Sequence, residues 1–137
     1  MIKIYHVPYT RSVRPIWLCH EMGLDHEIIH VDWSDAYKQS DGWRAISPTQ
    51  KVPVMQDGDL TMFESGAMVA YLLEKYGQQT WLPEPGTAQS ALHHQWCWYS
   101  EASLPRPLGV RQVLRTRKEE VDLPTLVESS VRKVLLL

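Results

Sequence analysis

The sequence predicts an α/β domain with the element order β-α-β-α-β-β-α, followed by a stretch that is helical throughout. Three observations predict it. Apolar periodicity switches from a strand pattern to a helical one and back within residues 2–31, an Asp-Gly pair joins two short β-prone runs, and Pro83, Pro85 and Gly86 separate these from an aromatic-rich helical segment.

Residues 2–7 alternate and are β-prone, and Pro8 ends the run at a loop, Tyr9-Thr10-Arg11. Over residues 12–22, Val13, Ile16, Trp17, Cys19 and Met22 recur at helical spacing. Pro15 is tolerated in the first turn, and Gly23 stands at the stop. Residues 27–31 read as a second strand, and the intervening helix makes the pair most simply parallel. A polar stretch, residues 32–49, carries one helical turn near Trp43. Residues 52–56 and 59–63 form two antiparallel strands joined by Asp57-Gly58. Residues 65–76 make an amphipathic helix with Met68, Val69, Leu72, Leu73 and Tyr76 on one face, stopped at Gly77.

Residues 87–103 predict a long helix, broken at Pro105 and Pro107, and a second helical pattern starts near Pro124. The last seven residues climb into an apolar run with no Gly, Asn or Pro stop, where a helix end is usually capped. The expected organisation is a mixed domain over 1–80, a linker over 81–86, and a helical domain over 87–137 that stops short of completion.

Composition narrows the function. With 137 residues, 44% hydrophobic and 22% charged, the chain is an ordinary globular sequence rather than a disordered or fibrous one. Fourteen Lys and Arg against sixteen Asp and Glu leave a net charge of -2, so no global field draws it to nucleic acid or an anionic membrane. Cys19 and Cys97 stand far apart and outside any CxxC, which predicts neither a disulfide framework nor a dithiol and fits a reducing cytoplasm. The N-terminus enters a strand pattern at once, without the apolar core of a signal peptide, and no run is as long as a membrane span.

Two motifs carry chemistry. Lys51-Val52-Pro53-Val54 places a proline at a strand opening, where a cis Val52-Pro53 bond would turn the Val52 N–H and C=O outward to pair with an extended peptide. A trans proline capping an edge strand is the plainer account of Pro53 alone. Glu64-Ser65 opens the amphipathic helix, where free N–H groups and the dipole favour an anion. Ser65 can take an α-carboxylate while Glu64 pairs with an α-ammonium, so the two suit a zwitterionic amino-acid head group. A capping Ser and a solvated first-turn Glu are the commoner roles of such residues taken singly.

The runs Ser47-Pro48-Thr49-Gln50-Lys51-Val52-Pro53-Val54-Met55, Asp57-Gly58-Asp59-Leu60-Thr61-Met62-Phe63-Glu64-Ser65 and Ala70-Tyr71-Leu72-Leu73-Glu74-Lys75-Tyr76 together resemble the glutathione S-transferase family, over roughly the first 83 residues. The resemblance implies a thioredoxin-like N-terminal domain followed by an all-α domain, of which this chain holds the start. It implies that Val52, followed by Pro53, holds the cysteinyl backbone of glutathione, that Glu64 and Ser65 hold its γ-glutamyl head, that Lys38 lies against its glycine carboxylate, and that Lys51 adjoins the tripeptide. Glutathione is then a co-substrate, with no metal required.

Members of the family stabilise the glutathione thiolate with a Ser, Tyr or Cys just after the first strand, and only the thiolate attacks well at neutral pH. This sequence offers Thr10 first, with Tyr9 and Ser12 close behind; the N-cap of the helix is the plainer place for Ser12. Arg11 adds positive potential nearby. His93 and Cys97 have i, i+4 spacing but too few companions for a metal, and Arg111, Arg115, Arg117 and Lys118 read as one solvated face.

The expected function is a cytoplasmic glutathione transferase. It would take glutathione and a small hydrophobic electrophile, form a homodimer, and have no nucleic-acid or membrane partner. A non-catalytic ligand-binding or protein-interaction module of the same fold is the alternative, and glutathione-dependent thiol exchange or isomerisation is a third possibility.

Overall fold

The computed structural model describes residues 1–77 and 80–105. The chain divides into two compact units, Met1–Leu82 and one that begins at Pro83. The expectations placed on the basic run and on the segment from Pro124 to the end fall outside the described residues.

The first unit is a thioredoxin-like β-α-β-α-β-β-α arrangement, as the sequence pattern predicts. Strand β1 (Ile2–His6) leads into helix α1 (Val13–Glu21), strand β2 (His26–His30), short helices α2 (Asp35–Lys38) and α3 (Asp41–Ile46), strands β3 (Val54–Asp57) and β4 (Leu60–Phe63), and helix α4 (Ser65–Tyr76). The four strands lie in the order β2-β1-β3-β4. β1 runs parallel to β2 and antiparallel to β3, and β4 is antiparallel to β3.

Strand parity assigns the two faces of the sheet. Ile2 and Ile4 of β1 and Met55 of β3 join Ile16 and Cys19 of α1 and Met68 and Leu72 of α4 in one buried core. Tyr5 points the other way, where its ring meets that of Trp43 on α3 at 5.8 Å, and its hydroxyl donates to Gln56 Oε1 at 3.1 Å. Burial pushes the Cys19 thiol up to about 11, so this cysteine is an inert packing group.

Three local expectations need correction. The polar stretch after β2 holds two short helices rather than one turn. Ser34 and Ser40 cap them, accepting from the N–H of Tyr37 and Trp43, with Asp35 and Asp41 in the first turns. Strand β3 begins at Val54, not Val52, because Pro53 has no N–H to give a ladder. The hairpin loop is Gly58-Asp59 rather than Asp57-Gly58, since Asp57 pairs with Leu60 and Gly58 supplies the positive φ of 59° at the first loop position.

Asp57 has other work. Its Oδ2 accepts from Tyr71 OH at 2.8 Å, Lys75 Nζ at 2.7 Å and Tyr76 OH at 2.6 Å, which ties the end of β3 to α4. Burial alone would raise its pKa. The hydrogen bonds from Lys75, Tyr76 and Tyr71 and the charge of Lys75 outweigh that and hold it at about 2.

In the second unit, Thr87 caps helix α5 (Ala88–Trp98) by accepting from Ser90 N–H, and a single π-helical turn (Tyr99–Ser103) follows. Trp96 and Tyr99 meet edge-on at 5.4 Å, and Cys97 Sγ lies 3.5 Å from His93 Nε2. Among the described residues no three His, Cys, Asp or Glu side chains gather as a metal site, and no helix is long and apolar enough to cross a membrane.

Candidate functional site

Three loops of the first unit converge on one cleft of about 480 Å³, within the range of small-molecule sites. The loop after β1 gives it Tyr9, Thr10 and Arg11, the segment before β3 gives Thr49, Lys51, Val52 and Pro53, and the β4–α4 junction gives Phe63, Glu64 and Ser65. Tyr9, Glu64 and Gln50, which lies between two wall residues, are the non-glycine residues with positive φ among the described residues, at 62°, 73° and 54°. Such strain collects where the surrounding structure must hold a loop in one working shape.

The middle segment is held from below. Ser47 is fully buried, and its hydroxyl donates to Lys51 C=O at 2.9 Å while accepting from Lys51 N–H at 3.1 Å. That clamp closes residues 47–51 into a loop and delivers Val52 to the cleft. The Val52-Pro53 bond is cis, and Val52 falls outside the pairing register of β3, which begins at Val54.

At the third segment Ser65 is buried at the first position of α4, and Arg14 Nη1 of α1 donates to its Oγ at 3.0 Å. With Arg14 as donor, the single hydroxyl proton of Ser65 remains for an incoming acceptor. The guanidinium adds positive charge where the helix N-terminus already favours an anion. Glu64 is exposed beside it and can receive a cation. The charged side chains that line the cleft are Arg11, Lys51 and Glu64.

The first loop separates the three hydroxyl candidates. Tyr9 is fully exposed on the cleft rim and Thr10 is half-buried in its wall, whereas Ser12 is fully buried behind them. Ser12 does stand immediately before α1, yet its side chain makes no capping bond. Its Oγ instead lies 2.6 Å from Thr10 Oγ1 and 2.6 Å from His6 Nδ1, and Thr10 Oγ1 donates to Val7 C=O at 2.7 Å. Burial first, and the neighbouring His30 second, lower the His6 pKa and leave the ring neutral at neutral pH.

Lys38 is elsewhere. Its Nζ pairs with Asp35 at 2.6 Å and sits over the Trp33 ring at 5.4 Å, and it does not line the cleft. Sequence reasoning passed over Arg14, Ser47 and His6. Arg14 falls on the same first turn as Ser12 and Ser47 sits four residues before Lys51, spacings that could have suggested them, but nothing in the sequence pairs His6 with Ser12.

A family model of the glutathione S-transferase N-terminal domain matches residues 1–74. The chain belongs to the glutathione S-transferase family. It is 32% identical over 104 residues to glutathione S-transferase 3 of Schizosaccharomyces pombe, covering 76% of this chain and 43% of that one. It is 36% identical over 97 residues to glutathione S-transferase 3 of Zea mays, covering 69% and 43%. The chain therefore spans less than half the length of these family members. Among solved structures, glutathione transferase F7 of Populus trichocarpa superposes with a TM-score of 0.78 at 26% identity, over 98% of this chain and 68% of that one. A family member from Pseudomonas fluorescens, crystallised with two glutathione molecules bound, shares the fold with a TM-score of 0.77 at 24% identity, over 96% and 60%.

Proposed function

We propose that the cleft binds glutathione and that Thr10 stabilises its thiolate for attack on an apolar electrophile. The observation that carries this reading is the convergence of the three loops, which sets a zwitterion site, an exposed backbone edge and a hydroxyl side by side. Ser65 N–H and Oγ–H take the γ-glutamyl carboxylate, with Arg14 behind them, and Glu64 takes the ammonium. Val52 offers its backbone to the cysteinyl residue, which directs the sulfur toward the Tyr9-Thr10 loop. A Thr10 hydroxyl donated to sulfur favours the anion over the thiol, and so lowers a thiol pKa from about 8.5 toward neutrality.

Lys51 stands in the cleft wall and Lys38 does not, so Lys51 is the cation for the glycine carboxylate. Lys51→Ala is expected to weaken glutathione binding about threefold to fivefold, as for a solvent-exposed ion pair. Lys38→Ala should leave it unchanged. Titration of both variants with glutathione and with its glycine amide checks this, since the amide should bind wild type and Lys51→Ala alike.

The fold also supports a second reading, binding without turnover, because the Thr10 proton is engaged by Val7 C=O. Steady-state conjugation of glutathione to a generic aromatic halide separates the two. Turnover that falls in Thr10→Val, with affinity for glutathione retained, supports catalysis; tight binding with no turnover supports the module. Homodimerisation and a cytoplasmic location are part of the same proposal, the latter supported by two free cysteines.

A further inference from the structure

The loop after β1 holds a chain of short polar contacts, Val7 C=O, Thr10 Oγ1, Ser12 Oγ and His6 Nδ1, at 2.7, 2.6 and 2.6 Å, of which Thr10 lines the cleft. Each hydroxyl owns one proton and a carbonyl owns none. Thr10 must therefore be the donor to Val7. With its proton spent there, Thr10 can only accept from Ser12, and Ser12, its own proton spent on Thr10, can only accept from His6. The count puts a proton on His6 Nδ1 and points the chain of donors from His6 through Ser12 to Thr10, and from Thr10 to Val7 C=O.

We propose that His6 is a positioning residue for Thr10, acting through Ser12 to hold the Thr10 hydroxyl polarised and ready to donate into the cleft. The proposal rests on the reading of Thr10 as the donor to glutathione sulfur. The direction of the chain gives the device its selectivity. A neutral thiol is a weak acceptor and does not draw the Thr10 proton off Val7 C=O. A thiolate does, because a hydrogen bond to an anion is roughly twice as strong as one between neutral partners. Donation from His6 through Ser12 strengthens the Thr10 O–H as a donor in the same sense, since hydrogen bonds in series polarise one another. Without the His6 donor, the Ser12 proton is free to turn to Val7 C=O, 3.4 Å away, and the polarisation of Thr10 is lost.

Two measurements on the full chain test this. Nitrogen-15 shifts of the His6 ring in the wild-type protein should report the Nδ1–H tautomer; the Nε2–H tautomer would overturn the proposal with no variant needed. The pKa of glutathione bound to the protein, followed by thiolate absorbance, should rise by about one in His6→Phe, a tenfold fall in the thiolate-to-thiol ratio at fixed pH. His6→Asn, whose side-chain amide can donate from the place of Nδ1, should restore most of it, and S-methylglutathione should bind all three proteins alike. In a Thr10→Val background, His6→Phe should have no further effect on the bound thiol. If Thr10→Val alone leaves the thiol pKa unchanged, the reading of Thr10 falls and the relay with it. If Thr10→Val raises it and His6→Phe does not, the relay alone is wrong.

Discussion

Ser65→Ala should weaken glutathione binding by roughly tenfold to a hundredfold while leaving the acidity of whatever thiol still binds unchanged. The size follows from the bonds at stake, because a hydrogen bond to a charged group contributes about 1.5–3 kcal/mol. Ser65 is buried at the head of α4 and accepts from Arg14 at 3.0 Å, which leaves its own proton for the carboxylate that the proposal assigns to it. Alanine removes that donor and also the Arg14 contact to Oγ. In the proposed pose the thiol end of the ligand lies against the Tyr9-Thr10 loop and the carboxylate at Ser65, so affinity and acidity should separate. Calorimetry on the variant, alongside a thiolate titration at saturating glutathione, checks both halves.

Asp57→Ala should cost about 3 kcal/mol of folding stability without directly altering the cleft. The Asp57 side chain is only 8% exposed, and it accepts two tyrosine hydroxyls and one ammonium. Its removal leaves Tyr71 and Tyr76 without their acceptor at the point where the hairpin is tied to α4. Lys75 is 45% exposed, and solvent screens its share, so the tyrosine bonds carry most of the effect. Because the native carboxyl titrates at about 2, below its ordinary 3.8, the ionised form is the one the fold favours. The resulting contribution, about 2 kcal/mol, is complete above about pH 5 and is lost as pH falls through 4 toward 2. Asp57→Asn should flatten that acid limb. Urea unfolding of wild type and both variants across this pH range measures it.

The sequence made the fold legible wherever periodicity and punctuation agree. β1, α1 and α4 carry clean apolar spacing, with Gly23 or Gly77 at the helix ends, and each lies within a residue or so of its expected place. The segment between β2 and β3 was harder to read because its two helices are held by Ser34 and Ser40 caps rather than by an apolar stripe, and Trp43 is their one buried side chain. The hairpin loop moved by one residue because Asp57, which looks like half of a turn, is recruited by α4.

The site was legible where one residue's chemistry suffices. Val52, Pro53, Glu64, Ser65 and Lys51 all reach the cleft. What the sequence hid is pairwise: Arg14 reaching Ser65 from another helix, Ser12 turning inward to His6, and Lys38 spent on Asp35 and Trp33. Such partners are set by tertiary approach, which spacing along the chain does not encode.

Titration of the full chain with glutathione by calorimetry tests the central claim most directly. One-site binding is expected at or below millimolar concentration, weakened by Ser65→Ala and by acetylation of the ligand's α-amine, the group assigned to Glu64. Absence of binding heat at several temperatures, with glutathione in the millimolar range, would contradict it.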